Sequence, residues 1–226
     1  MSIVNREPPN DPIFSIAAKA LTDYAGSTTT IYLLEARKKT PSPSTVARVG
    51  GEPIGVHADN WPRFNGQPME HLLTLDLEQM PQLRVGALKH TRAVALFISD
   101  AIYNMAFDPY TQETAVIFLS EQDIARGETT QMLREGNIIP YTYDILGVEV
   151  PDAIFDEQLC QEKPFEVLWG EVKWAFGRAG GKPLWFQFPE HEGDFLMQFD
   201  GRFIDMNLGD AGVMFVFTDT AFWQGA

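Results

Sequence analysis

The sequence predicts an α+β fold, a sheet built on an internal pseudo-repeat with a few flanking helices. Three observations carry this. Three landmarks recur in the same order. Gly50-Gly51-Glu52-Pro53 answers to Gly180-Gly181-Lys182-Pro183. Leu72-Leu73-Thr74-Leu75-Asp76 answers to Leu196-Met197-Gln198-Phe199-Asp200, and Ala95-Leu96-Phe97-Ile98-Ser99-Asp100 to Met214-Phe215-Val216-Phe217-Thr218-Asp219. The runs between the turns are short and apolar, as strands are. Two further stretches carry apolar residues at helical spacing. The reading is one domain over residues 1–226 with repeats at about 48–120 and 178–219, because a strand–turn–strand unit cannot bury its apolar face alone.

Taken in order, residues 1–10 are polar, contain Pro8-Pro9 and predict a loose arm. A helix follows over 11–25. Asp11 caps it, Pro12 fits its first position, Ile13, Ala17, Ala20, Leu21 and Tyr24 share a face, and Gly26 stops it. Thr28 to Glu35 is rich in strand formers. Lys38 to Thr45 is a loop. Each Gly-Gly pair before X-Pro marks a tight turn, since glycine tolerates positive φ and the residue before proline is held extended. Asn65-Gly66 predicts another turn. Leu77 to Met80 predicts one helical turn ending at Pro81.

Runs 93–98 and 213–217 are nearly continuous apolar stretches and predict strands buried on both faces. Thr114 to Leu119 predicts a strand, buried by its composition. Ser120-Glu121-Gln122-Asp123 has the form of a capping box, so a short helix begins there, with another over 129–135. Ile138 to Val150 is extended chain closed by Pro151. Phe165, Leu168, Val172 and Phe176 place a second long helix over 164–176.

Composition sets the function classes. The 226 residues carry 17 Lys and Arg against 31 Asp and Glu, a net charge of −14. Nucleic acid and anionic membrane surfaces reward clustered cations, so neither is an expected partner. A basic protein would be attracted and steered. No run reaches the ~18 apolar residues that span a bilayer. The first residues lack the basic-then-apolar pattern of a secretory leader, and Cys160 is the one cysteine, so a cytoplasmic location without disulfides is expected.

No strong catalytic signature is present: no GxSxG, HExxH, GxxxxGK[ST] or strand-linked GxGxxG. One cysteine cannot supply a thiolate zinc site, and its neighbours Asp156, Glu157 and Glu162 disfavour a thiolate nucleophile. No metal, cofactor or catalytic residue is expected. The weak binding candidates are Asp76, Gln198, Asp200 and Asp210, at strand ends and turns, and the acidic loop Glu190, Glu192 and Asp194. An amide such as Gln198 inside an apolar run must find hydrogen-bond partners when buried. It then either pins a neighbouring turn or lines a ligand cleft. His57-Ala58-Asp59 reads as an exposed loop, and His71 and His90 as structural.

At GGEP (50–53), Trp61-Pro62, NGQPMEHLLTLDLEQMP (65–81), VALFISD (94–100), AFDPYTQETAVIFL (106–119) and GDFLMQFDGRFIDMNLGDAGVMFVF (193–217), the chain resembles the YwqG-like family. The resemblance covers roughly residues 48–120 and 178–219. Gln198, Asp200, Gly209, Asp210 and Gly212 follow the family pattern. Thr74 stands where that pattern has glutamine, Leu208 where it often has tryptophan, and residues 121–177 do not match. The resemblance implies an α+β fold with extensive antiparallel sheet. It implies no reaction, because the family has no settled activity, and its motif residues carry over as framework positions. Some members look associated with toxin–immunity gene clusters.

Two functions follow as expectations. The first is a non-catalytic cytoplasmic binding protein, most specifically an immunity protein that neutralises a secreted toxin by covering a basic toxin domain. The second is an enzyme or small-ligand receptor with a pocket between the repeats, lined by Asp76, Gln198, Asp200 and Asp210.

Overall fold

Strand formers and tight turns alternate along most of the chain, and the structure follows them. The computed structural model describes residues 18, 22, 26, 30–37, 45–99, 112–126, 143–152, 176–185, 188–201, 208 and 212–224. Ten strands form one sheet: β1 (Thr30–Arg37), β2 (Thr45–Val49), β5 (Glu70–Asp76), β6 (Ala93–Ile98), β7 (Thr114–Leu119), β8 (Tyr143–Pro151), β9 (Phe176–Ala179), β10 (Phe195–Asp200), β11 (Val213–Phe217) and β12 (Ala221–Gln224). Two-residue strands β3 (Arg63–Phe64) and β4 (Gln67–Pro68) close a separate hairpin at Asn65-Gly66, both with positive φ. The sheet order is β12-β11-β10-β9-β1-β8-β2-β5-β6-β7, and each neighbouring pair is antiparallel.

The two outermost strands meet. The Thr114 hydroxyl donates to the Ala221 carbonyl at 2.7 Å and accepts from the Ala221 N–H at 3.2 Å. The sheet is therefore curled into a nearly closed barrel. The described residues hold one short complete α-helix, α1 (Glu121–Arg126). The α+β expectation with a few flanking helices is corrected to a mostly-β fold. The physical reason is closure. A curled sheet buries its inner face against itself and needs no helical layer there. Of the expected helix over 11–25 only Ala18, Thr22 and Gly26 are described, and the Thr22 hydroxyl donates back to the Ala18 carbonyl at 3.0 Å. The helix over 129–135, residues 164–175 of the helix expected over 164–176, the arm over 1–10 and Cys160 lie outside the described residues, and Phe176, expected to end that helix, opens β9 instead.

The strand order reads the same from both ends under an exchange of halves. β2-β5-β6-β7 on one side mirrors β9-β10-β11-β12 on the other, and the pair β1–β8 lies between them. Register makes the match residue by residue. Val49, before Gly50-Gly51, faces Tyr143 of β8; Ala179, before Gly180-Gly181, faces Tyr32 of β1. β5 and β10 carry a bulge at the same place, between His71 and Leu73 and between Phe195 and Met197. Each half thus receives its central strand from the other half: β1 pairs with β9 and β8 with β2. The matched runs 72–75 and 195–199 fall in β5 and β10. The third landmark is one residue out of alignment, because Phe97 pairs with His71 and Phe217 with Phe195. Side chains alternate across a strand, so a slip of one exchanges the faces.

Strand faces build the core. Tyr32, Leu34, Leu73, Leu75, Val94, Leu96, Ile145, Met214 and Val216 belong to one buried cluster, the barrel interior. The alternate residues form two outer clusters. Ala95 and Phe97 lie under Trp61; Phe215, Phe217 and Phe222 lie under Trp185. Strands β6 and β11 are covered on both sides, as their composition predicts, with only Val213 half-exposed. Strand β7 is not: Thr114, Ala115, Val116 and Ile117 are half-exposed and Phe118 is 44% exposed. Its composition is that of a buried strand, but its place is the edge of the sheet. Leu77–Met80 makes a turn, and the helical turn expected there sits just beyond it, as a 3₁₀ turn over Pro81–Leu83.

Candidate functional site

The two Gly-Gly turns are the first candidate, since Gln198, Thr74 and His71 surround them. Gly50 donates to Leu72 O and Gly180 to Leu196 O, each at 2.8 Å. All four glycines have positive φ. In the second half the Gln198 amide closes the turn: its Oε1 accepts from the Leu184 N–H at 2.7 Å and its Nε2 donates to Leu184 O at 3.2 Å. Of the two roles open to this amide, the structure shows the turn-pinning one. In the first half Thr74 holds the matching place, opposite Arg48 as Gln198 is opposite Arg178. A threonine cannot span the gap alone, and His71 completes it. The ring contacts Gly51 O through Nδ1 at 3.1 Å and Thr74 Oγ1 through Nε2 at 2.8 Å. With Nδ1–H as donor, Nε2 accepts the threonine hydroxyl. Burial pushes His71 down to about 4, against the upward pull of the Gly51, Leu73 and Gly50 carbonyls, so the ring is neutral at pH 7.

Two arginines next to these turns were not singled out from the sequence. Arg48 and Arg178 each stand two residues before a Gly-Gly pair, and each meets an aspartate of β8 or the residue after it. Arg48 bonds Asp144 at 3.3 Å and Arg178 bonds Asp152 at 2.8 Å. Arg178 is buried and also donates to Gly180 O at 3.3 Å. Its burial lowers its pKa, and Asp152 opposes that shift. A Cβ on Gly181 would come within 2.6 Å of the guanidinium, so this turn requires glycine for space as well as for φ. The recurring Arg-x-Gly-Gly, RVGG and RAGG, was the available signal.

Asp76 ends β5 and is committed to structure. It bonds Arg92 and accepts the Glu78 N–H at 2.9 Å. Arg92 also reaches Glu78 at 2.7 Å and Glu121 at 3.5 Å. Asp200 occupies the matching end of β10, where only its backbone is described, opposite Val213. Asp210 lies outside the described residues. Asp76 and Gln198 therefore each bond within their own half, to a turn beside their own strand. His57 lies in a turn, its N–H donating to Asn60 Oδ1 at 2.7 Å. His90 is exposed. Among the described residues no three His, Cys, Asp or Glu side chains converge as a metal site would need.

The acidic loop is organised from below by aromatics. Trp185 stacks on Phe215 at 5.0 Å, and Phe217 and Phe222 extend the same floor. His191 stands edge-on to Phe217 at 4.7 Å and meets Asp219 at 2.9 Å. Thr218 N–H donates to Asp194 O at 2.9 Å. The histidine thus anchors the loop to the barrel while Glu192 beyond it stands in solvent. Glu192, Asp194 and Asp219 are exposed, and Phe188, whose carbonyl accepts from Gln224, is 62% exposed. Glu190 differs: it is half-buried, and its Oε2 is sealed from solvent without a hydrogen-bond partner. Phe188 was not foreseen, because phenylalanine is more often buried than exposed.

No protein-family model matches the chain, and no curated protein matches it.

Proposed function

We propose that this is a YwqG-like protein that acts in the cytoplasm by binding another protein, without chemistry of its own. Its partner is a basic protein, most specifically a secreted toxin domain that it neutralises as an immunity protein. The observation that carries this reading is the surface of the second half. There the exposed ring of Phe188 sits in a loop whose Glu192 and Asp194, with Asp219 across from it, stand in solvent. An exposed aromatic with a charged surround is the composition of an interface centre and its rim. The net charge of −14 adds long-range attraction for a basic surface. Two of the polar groups that a ligand pocket between the halves would use, Asp76 and Gln198, are bonded to their own turns, and this favours the binding role.

The test is co-expression with a basic toxin, sought first among the genes beside this protein's own. Binding alone suffices for protection, so the two chains should co-elute as a stoichiometric complex and the cells should survive. Survival without a complex, or a complex without survival, would end the reading.

A further inference from the structure

The two halves match strand for strand, and their outermost strands differ in one respect. Phe118 of β7 pairs with Val94, and Trp223 of β12 pairs with Met214, the corresponding residue. Trp223 is 3% exposed and Phe118 is 44% exposed. All of β12 is buried, whereas only Leu119 of β7 is. Strand β7 overhangs the Thr114–Ala221 contact, and among the described residues no strand pairs with its outer edge.

The phase of the ladder says which backbone groups face that edge. Ser99 N–H donates to Glu113 O, so Glu113, Ala115, Ile117 and Leu119 turn their backbone groups toward β6. Those of Val116 and Phe118 then point away, to the open side. Natural edge strands blunt such groups with lysine, proline, a bulge or an inward charge. The edge Thr114–Leu119 has none of these: its sequence is TAVIFL and its register to β6 is unbroken. Acidic residues stand at both ends. Glu78 and Glu121 share Arg92 with Asp76 beyond Leu119, with side chains 60% and 67% exposed. Asp219, 60% exposed, lies two residues before Ala221, the partner of Thr114.

The geometry points to β7 as a docking edge, to which a partner protein adds an extended apolar strand flanked by lysine or arginine. This rests on the protein-binding reading above and adds a second contact element to it, with Asp219 common to the loop at His191 and to the Thr114 end of β7. Charge selects the occupant. A second copy laid antiparallel on β7 would bring its Glu121 end against the Asp219 end of the first, acid against acid. A strand with basic flanks meets carboxylates at both ends.

The experiment uses the full chain and a synthetic peptide of alternating valine and threonine with two lysines at each end, read by amide hydrogen exchange. Addition of the strand should slow exchange at Val116 and Phe118 about tenfold or more, while Ala115 and Ile117, already bonded to β6, stay unchanged. The same peptide with glutamate flanks should give no protection. Val116→Pro removes an N–H that β6 does not use and should abolish the effect; Phe118→Lys, which leaves the backbone intact, should weaken it. Unchanged amides, equal protection by the glutamate peptide, or the same protection in concentrated protein alone would overturn the proposal. If a toxin complex forms and Val116 still exchanges freely within it, the docking edge fails and the binding function stands.

Discussion

His71 and Gln198 show how one structural task is met by different chemistry in two halves. Each ties a Gly-Gly turn to the strand behind it, Gln198 with one amide and His71 with a ring that also needs Thr74. The exchange has a consequence for pH. His71 has a folded pKa near 4 against 6.5 when free, so the unfolded chain binds a proton over that interval that the folded chain refuses. Its contribution is complete above pH 6.5 and is lost as pH falls to about 4, in all about 3 kcal/mol. We expect urea midpoints of the wild type to fall through this window and those of His71→Gln to fall less; parallel curves would show that His71 is not the titrating group. At this scale the sequence was half legible. Gln198 announced an amide that needs partners, as a polar group in an apolar run does. Arg178 did not, because its burial follows from a barrel end that no local pattern displays.

Elements were read well where local chemistry decides and poorly where place decides. The capping box at Ser120 formed as expected: Ser120 N–H donates to Asp123 Oδ2 at 2.8 Å, and Asp123 N–H to Ser120 Oγ at 3.2 Å. Asp123 is held below its usual pKa first by the Ser120 hydroxyl and then by the Ser120 N–H. Ser120→Ala should cost about 1 kcal/mol, read from thermal or urea unfolding, and a neutral result would mean that α1 is held by packing alone. Strand β7 has the composition of a central strand and the position of an edge, and the position follows from how the sheet curls. Its first residue closes the seam. Thr114→Val keeps the shape and removes both bonds to Ala221, so it should destabilise by about 1–3 kcal/mol and speed exchange of the Ala221 amide. An unchanged Ala221 amide would show that the seam is held elsewhere.

At the scale of the whole molecule, the described residues form a mostly-β, nearly closed barrel of two matched halves that exchange their central strands. The three recurring landmarks fall on matching strands and turns of the two halves, the third one residue out of alignment. The exchange of β1 and β8 stayed hidden, because strand order depends on contacts across about a hundred residues that no local pattern records. The surface is equally divided. The −14 charge is plain in the composition, while its presentation beside an exposed Phe188 depends on how His191 pins the loop to Phe217 and Asp219. Rim carboxylates chiefly speed encounter, and buried anchors set dissociation. The most direct measurement is therefore the association rate with the basic partner proposed above against salt concentration, for the wild type and for the Glu192→Gln, Asp194→Asn variant. A wild-type rate that falls steeply with salt, a lower and flatter rate for the variant, and nearly equal dissociation would agree with electrostatic capture by this loop. Equal rates with equal salt dependence would contradict it.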